Sequence, residues 1–491
     1  MAKRSIALIL SLAMVLFLTL SAYGGASDLD HAELKWYIIG DGQPLDMGVV
    51  MDELNVTLKE RINVTLDLQV LDWGSFVDRI QIMSSSSEPF DLCFSSGWTM
   101  FYAQAAQGYY ADLTDLLPAY APKTMEMAGD LLETFKVKGQ YLAVPNLQGM
   151  AYKDYVLFNA DIAEKYNIPD KVDGLPGLNE YFAAIKEGEP QLKYVFYLAG
   201  LADTSMGSFT FGNPDPYKRP YNVAQTGVYK VLQPDGSLKI EWDPTTLPGS
   251  MENARWKYMA YNNGWTPADV LTMQFSRDEF INGNVAAIYI GLNPDDSKTR
   301  QNWGDNFKKV DISAPLILFG DMISGAATSV SYHSQNKERA VMLMELVNTE
   351  PEIFNTLVLG VEGKHWVRDS DGFWTDGPDR AGYPMAGYGW SIGNDFIKFP
   401  EKGTDPNTPA LVQAFDQSAE VEPAAGFVPD LESLSIQLAN ISALNEILPF
   451  TFGLVDPEVA GPELRDKLIV AGIQDIADEI QRQLDAFLAG N

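Results

Sequence analysis

Cysteine is almost absent from this 491-residue chain, and Cys93 is the only one. A single thiol excludes an intramolecular disulfide and the Cys-rich zinc sites. Cys93 stands in the apolar run DLCFSS, which marks it as a small buried hydrophobe rather than a nucleophile. Histidine is also scarce. His31, His333 and His365 form neither H-E-x-x-H nor any close-spaced pair, so no metal centre is expected. Positive charge is the third deficit: 35 Lys and Arg stand against 66 Asp and Glu, for a net charge of −31. Such a surface repels phosphate backbones and anionic headgroups, so nucleic acid is not an expected partner.

Catalytic motifs are missing as well. No G-x-x-x-x-G-K-[ST] loop is present, and no cofactor is expected. GWSIG at 389–393 has the spacing of a nucleophile elbow. An elbow needs a buried strand before it and a histidine after it. Here the Gly- and Pro-rich AGYPMAGY precedes it and no histidine follows. DSDGFWTDG at 369–377 lacks the terminal Glu of a calcium loop, and its Asp-Gly pairs suit a β-hairpin. A glycosidase carboxylate pair has no spacing signature among so many acids. The chain is read as non-catalytic.

Long apolar runs are confined to the start. Lys3 and Arg4, then Ile6–Leu20, then the small residues of AYGGAS read as a secretory leader over 1–26. No later segment is apolar enough to span a bilayer. An exported protein, extracellular or periplasmic, is expected.

The remainder has the makings of a sizeable core, with 46% hydrophobic and 21% charged residues. The stretch 34–39 is a strand candidate. Residues 46–62 place Met47, Val50, Met51, Leu54, Leu58 and Ile62 on one helical face. Residues 63–71 alternate Val64, Leu66, Leu68 and Val70 with polar groups, a half-buried strand. A short helix and the strand FDLCF (90–94) follow. This alternation predicts an α/β fold with a mostly parallel sheet, whose ligands gather beyond the strands' carboxyl ends. GDGQPLD (40–46) and SSGWTMFY (95–102) leave strands there. Helices are also predicted at 336–348, 431–448 and 462–488. Aromatic residues beside amides and glycines stand out in SGWTMFY (Trp98), NNGWTP (Trp265) and GYGWSIGN (Trp390). Stiff aromatic faces flanked by directed hydrogen-bonding groups suit sugars. Trp36 and Trp73, in or beside strand-like runs, are expected in the core.

The order of segments resembles the extracellular solute-binding proteins of bacterial ABC importers, the family that includes maltose-binding protein. GQYLAVPN (139–146), VLFNADIAEKYNI (156–168), EFINGNVAAIYIG (279–291) and SVSYHSQNKERAVMLMELV carry the likeness. PEIFNTLVLGVEGKHW (351–366), WSIGNDFI (390–397) and AGIQDIADEIQRQLDAF are similar to a long lipoprotein-type subgroup with a C-terminal extension of unknown function. The resemblance implies a two-lobed periplasmic-binding-protein-like fold with a hinge and an interlobe ligand cleft. It places 27–145 plus 318–358 in an N-terminal lobe, and 146–317 plus 359–491 in a C-terminal one. The expected crossings are near Val144–Gln148 and Ile312–Leu318. It implies a monomeric carrier that binds an oligosaccharide or related solute and delivers it to a membrane permease. The residues that match are Asp41, Gln43, Trp98, Asn146 and Asn293, with Glu362, Trp390 and Asn394 from the subgroup motifs. A peptide or other small-solute carrier on the same scaffold, a sensor partner of a membrane kinase and a secreted polysaccharide hydrolase are the alternatives. Leaders in this family commonly end Leu-Ser-Ala-Cys-Gly-Gly, whereas this chain has Tyr23 where the lipid-accepting cysteine stands. A phenol cannot form that thioether, so no lipid anchor is expected at Tyr23.

Overall fold

A computed structural model describes residues 29–198, 219–224, 226–273 and 277–490. The expected leader and Tyr23 lie outside the described residues. The chain divides into two compact units, one running to Gln148 and resuming over Ser324–Pro406, the other comprising Gly149–Ile323 and Asn407 onward. The change-overs thus fall after Gln148, Ile323 and Pro406. Ile312–Leu318, expected at a crossing, belongs instead to the strand Phe307–Leu318 inside the second unit.

In the first unit the sequence periods become elements directly. Strand β1 is Ala32–Gly40, helix α1 is Met47–Ile62 and strand β2 is Val64–Asp72. All six apolar residues read onto the helical face are buried in α1. Asn63, in the left-handed conformation at φ 49°, ends it. In β2 the four alternating aliphatics are buried and Asp67 is exposed. Strand β3 is Leu92–Ser95. β1 runs parallel to both β2 and β3. The sheet order is β2, β1, β3, then the antiparallel Ala327–Val330, then Val144–Pro145. Cys93 is fully buried, and burial pushes its thiol up to about 12, so it is inert at neutral pH.

Residues 359–406, expected in the second lobe, pack on the first unit. Trp366, Trp374, Tyr383, Met385 and Ile392 join the core of Trp36, Leu68 and α1. In DSDGFWTDG, residues 369–373 form the tip of a hairpin whose strands are Trp366–Arg368 and Trp374–Asp376. A polar latch ties this segment to the start of α1. Asp46 accepts from Lys364 Nζ at 2.9 Å and pairs with His365 Nε2 at 3.1 Å. Val361 N–H donates to His365 Nδ1, which fixes the tautomer with the proton on Nε2. The Lys364 and His365 hydrogen bonds hold the Asp46 carboxyl below its ordinary range. A depressed carboxylate adds stability above its unfolded pKa and loses it as pH falls through the folded value. Asp46→Asn is therefore expected to lower Tm at pH 7, with the gap to the parent closing below about pH 4. An equal gap at pH 3 and pH 7 would show that charge is not what the latch uses.

The second unit holds a mixed five-stranded sheet in the order Glu420–Val421, Phe307–Leu318, Tyr152–Asn159, Val285–Leu292, Tyr194–Leu198. A small antiparallel sheet has Leu238–Glu241 at one edge, Tyr229–Leu232 in the middle and Pro220–Asn222 at the other edge. The C-terminal helices pack on it, sharing a core with Val223, Tyr229 and Val231. The single helix expected over 462–488 is two, Pro457–Ala471 and Ile473–Gly490. Gly472 at φ 97° caps the first, a backbone conformation that side chains rarely adopt. The helix expected over 431–448 is likewise split into Ser435–Ser442 and Ile447–Thr451. Among the described residues no helix is long and apolar enough to cross a membrane.

Candidate functional site

Three loops leave the carboxyl ends of β1, β2 and β3 in the first unit, and each delivers one functional side chain. Gly40 pairs with Asp72, so the chain leaves β1 and β2 side by side. Asp41 and Trp73 are the next residues, and Trp73 Nε1 donates to Asp41 Oδ1 at 3.1 Å. The turn that presents Trp73 is built by Asp72, whose carboxylate accepts from the Gly74 and Ser75 amides and the Ser75 hydroxyl. The hydroxyl bond is the main reason that this carboxyl sits below its ordinary range.

After β3, Ser96 caps a short turn: its side chain accepts from Trp98 N–H, while Thr99 Oγ1 accepts from Ser96 N–H. Gly97 donates to the Ser324 carbonyl at 2.9 Å, and a Cβ on it would lie 2.7 Å from Ser324 Oγ. A side chain there would force Ser324 to shift, which favours glycine. Trp98 Nε1 donates to the Gly325 carbonyl at 2.9 Å.

Trp390 arrives from the 3-10 turn Ala386–Ser391. Its ring lies 5.9 Å from Trp73 at 26°, and Trp73 lies 6.1 Å from Trp98 at 23°. Phe94 of β3 supports the group, 5.6 Å from Trp98 and 5.4 Å from Trp390, edge-on to the latter. Trp73 and Trp98 remain 48% and 49% exposed. Tyr388 completes the edge. Burial, with the Asp41 carboxylate beside it, pushes its phenol up to about 12, so it stays a donor at neutral pH. The result is an exposed aromatic platform whose Trp73 and Trp98 ring N–H groups are already partnered. It offers half-exposed apolar ring surface, with the acceptor Asp41 beside it.

Of the residues singled out in the sequence, Asp41, Trp98 and Trp390 come together here. Gln43 and Asn146 lie nearby with their amides committed to the frame. Gln43 donates to the Leu68 carbonyl and accepts from Val70 N–H along the free edge of β2. Asn146 is buried, donates to the Trp390 carbonyl and accepts from Thr328. Asn394 is buried too, donating to the Asn348 carbonyl and accepting from Phe396 N–H. Glu362 is exposed with its carboxylate 3.7 Å from Arg368. In the second unit Asn293 caps a turn by accepting from Asp295 N–H. Trp265 is only 5% exposed and lies 5.7 Å from Phe182, so it is core: the apolar indole fills space among Phe158, Phe182 and Phe196.

Trp73 corrects the expectation of a core residue, and Tyr388 and Phe94 were not singled out. The signal for Trp73 was present. It is the first residue after the alternation of β2 ends, the same position that drew attention to Asp41 after β1. Ser391 of GWSIG is fully buried and donates to the Tyr388 carbonyl, which removes it as a nucleophile. Among the described residues no group of His, Cys, Asp and Glu is arranged to hold a metal ion.

Comparison with known proteins adds three findings. Residues 423–489 match a domain of unknown function, DUF3502. Over 488 residues the chain is 26% identical to a carbohydrate ABC transporter substrate-binding protein of Streptococcus pneumoniae serotype 4, covering 96% of this chain and 94% of that protein. Among solved structures it is similar to the N-glycan transport solute binding protein NgtS of S. pneumoniae, with TM-score 0.79 and 24% identity over 93% of this chain and 99% of that one. The same protein in complex with Man5GlcNAc matches with TM-score 0.65 and 25% identity over 94% and 99%. The fold is that of the two-lobed extracellular solute-binding proteins, and the likeness spans nearly the whole described chain.

Proposed function

We propose that this chain is the substrate-binding component of an ABC importer and that it captures an oligosaccharide on the platform of Trp73, Trp98 and Trp390. The observation that carries the reading is the platform itself: Trp73 and Trp98, half exposed on loops at the carboxyl ends of the parallel strands β2 and β3, with Trp390 near-parallel to Trp73 from the turn Ala386–Ser391. A pyranose has apolar C–H faces and a rim of hydroxyls. Stacked indoles bury the former, and Asp41 accepts from the latter. The names of the similar proteins point the same way, since NgtS has been crystallised with Man1GlcNAc and Man5GlcNAc. The chain then acts outside the membrane as a non-catalytic monomer and hands its cargo to a permease. The charge of −31 sets it against nucleic acid as a partner.

Thermal unfolding against a panel of glycans and short peptides tests this. A glycan at 100 times its Kd is expected to add about 2.7 kcal/mol, a shift of several degrees. A shift with peptides alone would replace the sugar with a peptide cargo. Turnover of the glycan during the scan would make the protein a hydrolase.

A further inference from the structure

The C-terminal helix Ile473–Gly490 carries two rows. Ile473, Ile476, Ile480 and Leu484 are fully buried. Beside them Gln474, Asp478, Gln481 and Asp485 recur at helical spacing. In this second row each glutamine is braced by the aspartate one turn on: Gln474 Nε2 donates to Asp478 at 2.7 Å and Gln481 Nε2 to Asp485 at 2.8 Å. The braced amides face the edge of the small sheet. Gln481 Oε1 accepts from Ile240 N–H at 2.7 Å, and Gln481 Nε2 donates to the Leu238 carbonyl at 3.3 Å. Two turns earlier, Gln474 Oε1 accepts from Trp242 Nε1 at 3.2 Å.

Leu238–Glu241 is an edge strand. Its outward N–H and C=O groups would otherwise be open to water or to another chain. An amide that accepts from residue 240 and donates to residue 238 makes the bonds that a neighbouring strand would make. The chain uses the same device on β2, where Gln43 bridges Leu68 and Val70 and Asn55 pairs with both backbone groups of Leu66.

We propose that the segment matching the domain of unknown function is an edge clamp. Its last helix stands in for a fourth strand on the small sheet, with Gln481 as the positioning residue that pairs with the strand backbone. On this reading the segment completes a fold rather than binding a ligand, and the assignment is independent of the sugar reading.

Hydrogen exchange on the full chain tests it, read on a peptide covering 236–243. Gln481→Met keeps the volume and loses both bonds. Gln481→Glu keeps an acceptor for Ile240 N–H and loses the donor. Exchange in 236–243 is expected to quicken about tenfold in Q481M and by less in Q481E, with β1–β3 peptides unchanged. Parent-like exchange in Q481M would overturn the clamp. Equal acceleration in Q481M and Q481E would overturn the role given to the amide.

Discussion

Alanine at Trp73 is expected to weaken glycan binding by at least about thirtyfold, the effect of losing a central aromatic anchor worth about 2 kcal/mol or more. Trp73 is the ring that stacks on both Trp98 and Trp390, so its removal breaks the platform in the middle. It also takes away the donor that Asp41 faces. Trp73→Phe keeps a smaller aromatic face and loses that donor and part of the ring area, so its affinity should fall between parent and alanine. Because the side chain is half exposed, neither change should move Tm by more than a degree or two. Calorimetric titration with the glycan identified by thermal shift reads the effect. W73A and W98A are in contact, so their losses should not add. An affinity of W73A within a factor of two of the parent would remove the platform as the binding surface.

The second large effect concerns stability. Lys230 and Glu422 form an ion pair at 2.5 Å with side chains only 5% and 6% exposed. Glu422 also accepts from the Gly320 amide at 2.7 Å. Lys230→Met leaves the buried Glu422 carboxylate without the charge it pairs with, and a loss of about 3–5 kcal/mol is expected. Removing both charges in K230M/E422L should recover most of it. The Gly320 N–H then loses its bond to Glu422, at a net cost of about 1 kcal/mol. The expected order of stability is parent, double variant, single variant, measured by urea unfolding followed by circular dichroism. A K230M protein as stable as the parent would mean that water reaches Glu422 and that the pair is not buried in solution.

Local periodicity determined much of this protein from sequence alone. The alternation of Val64, Leu66, Leu68 and Val70 specified a half-buried strand, and the face of Met47 to Ile62 specified its helix. Both depend only on the angle between successive side chains. The parallel topology then followed, and with it the carboxyl ends where Asp41 and Trp98 are found. Order along the chain also carried the resemblance to solute-binding proteins.

What the sequence could not decide was which of several similar residues meets solvent. Trp73 follows a strand end and Trp265 a polar turn, yet one is half exposed and the other lies among Phe158, Phe182 and Phe196. Burial is set by partners distant in sequence. The amides posed the same problem. Gln43, Asn146 and Asn394 have the chemistry to bind a sugar, but backbone groups need partners and these side chains supply them. The allegiance of 359–406 to the first unit likewise rests on Trp366, Tyr383 and Ile392 finding the core of Trp36 and Leu68. Short-range geometry fixes the period of each element. Only the packed structure decides what each side chain faces, because that is the sum of contacts that no local pattern encodes.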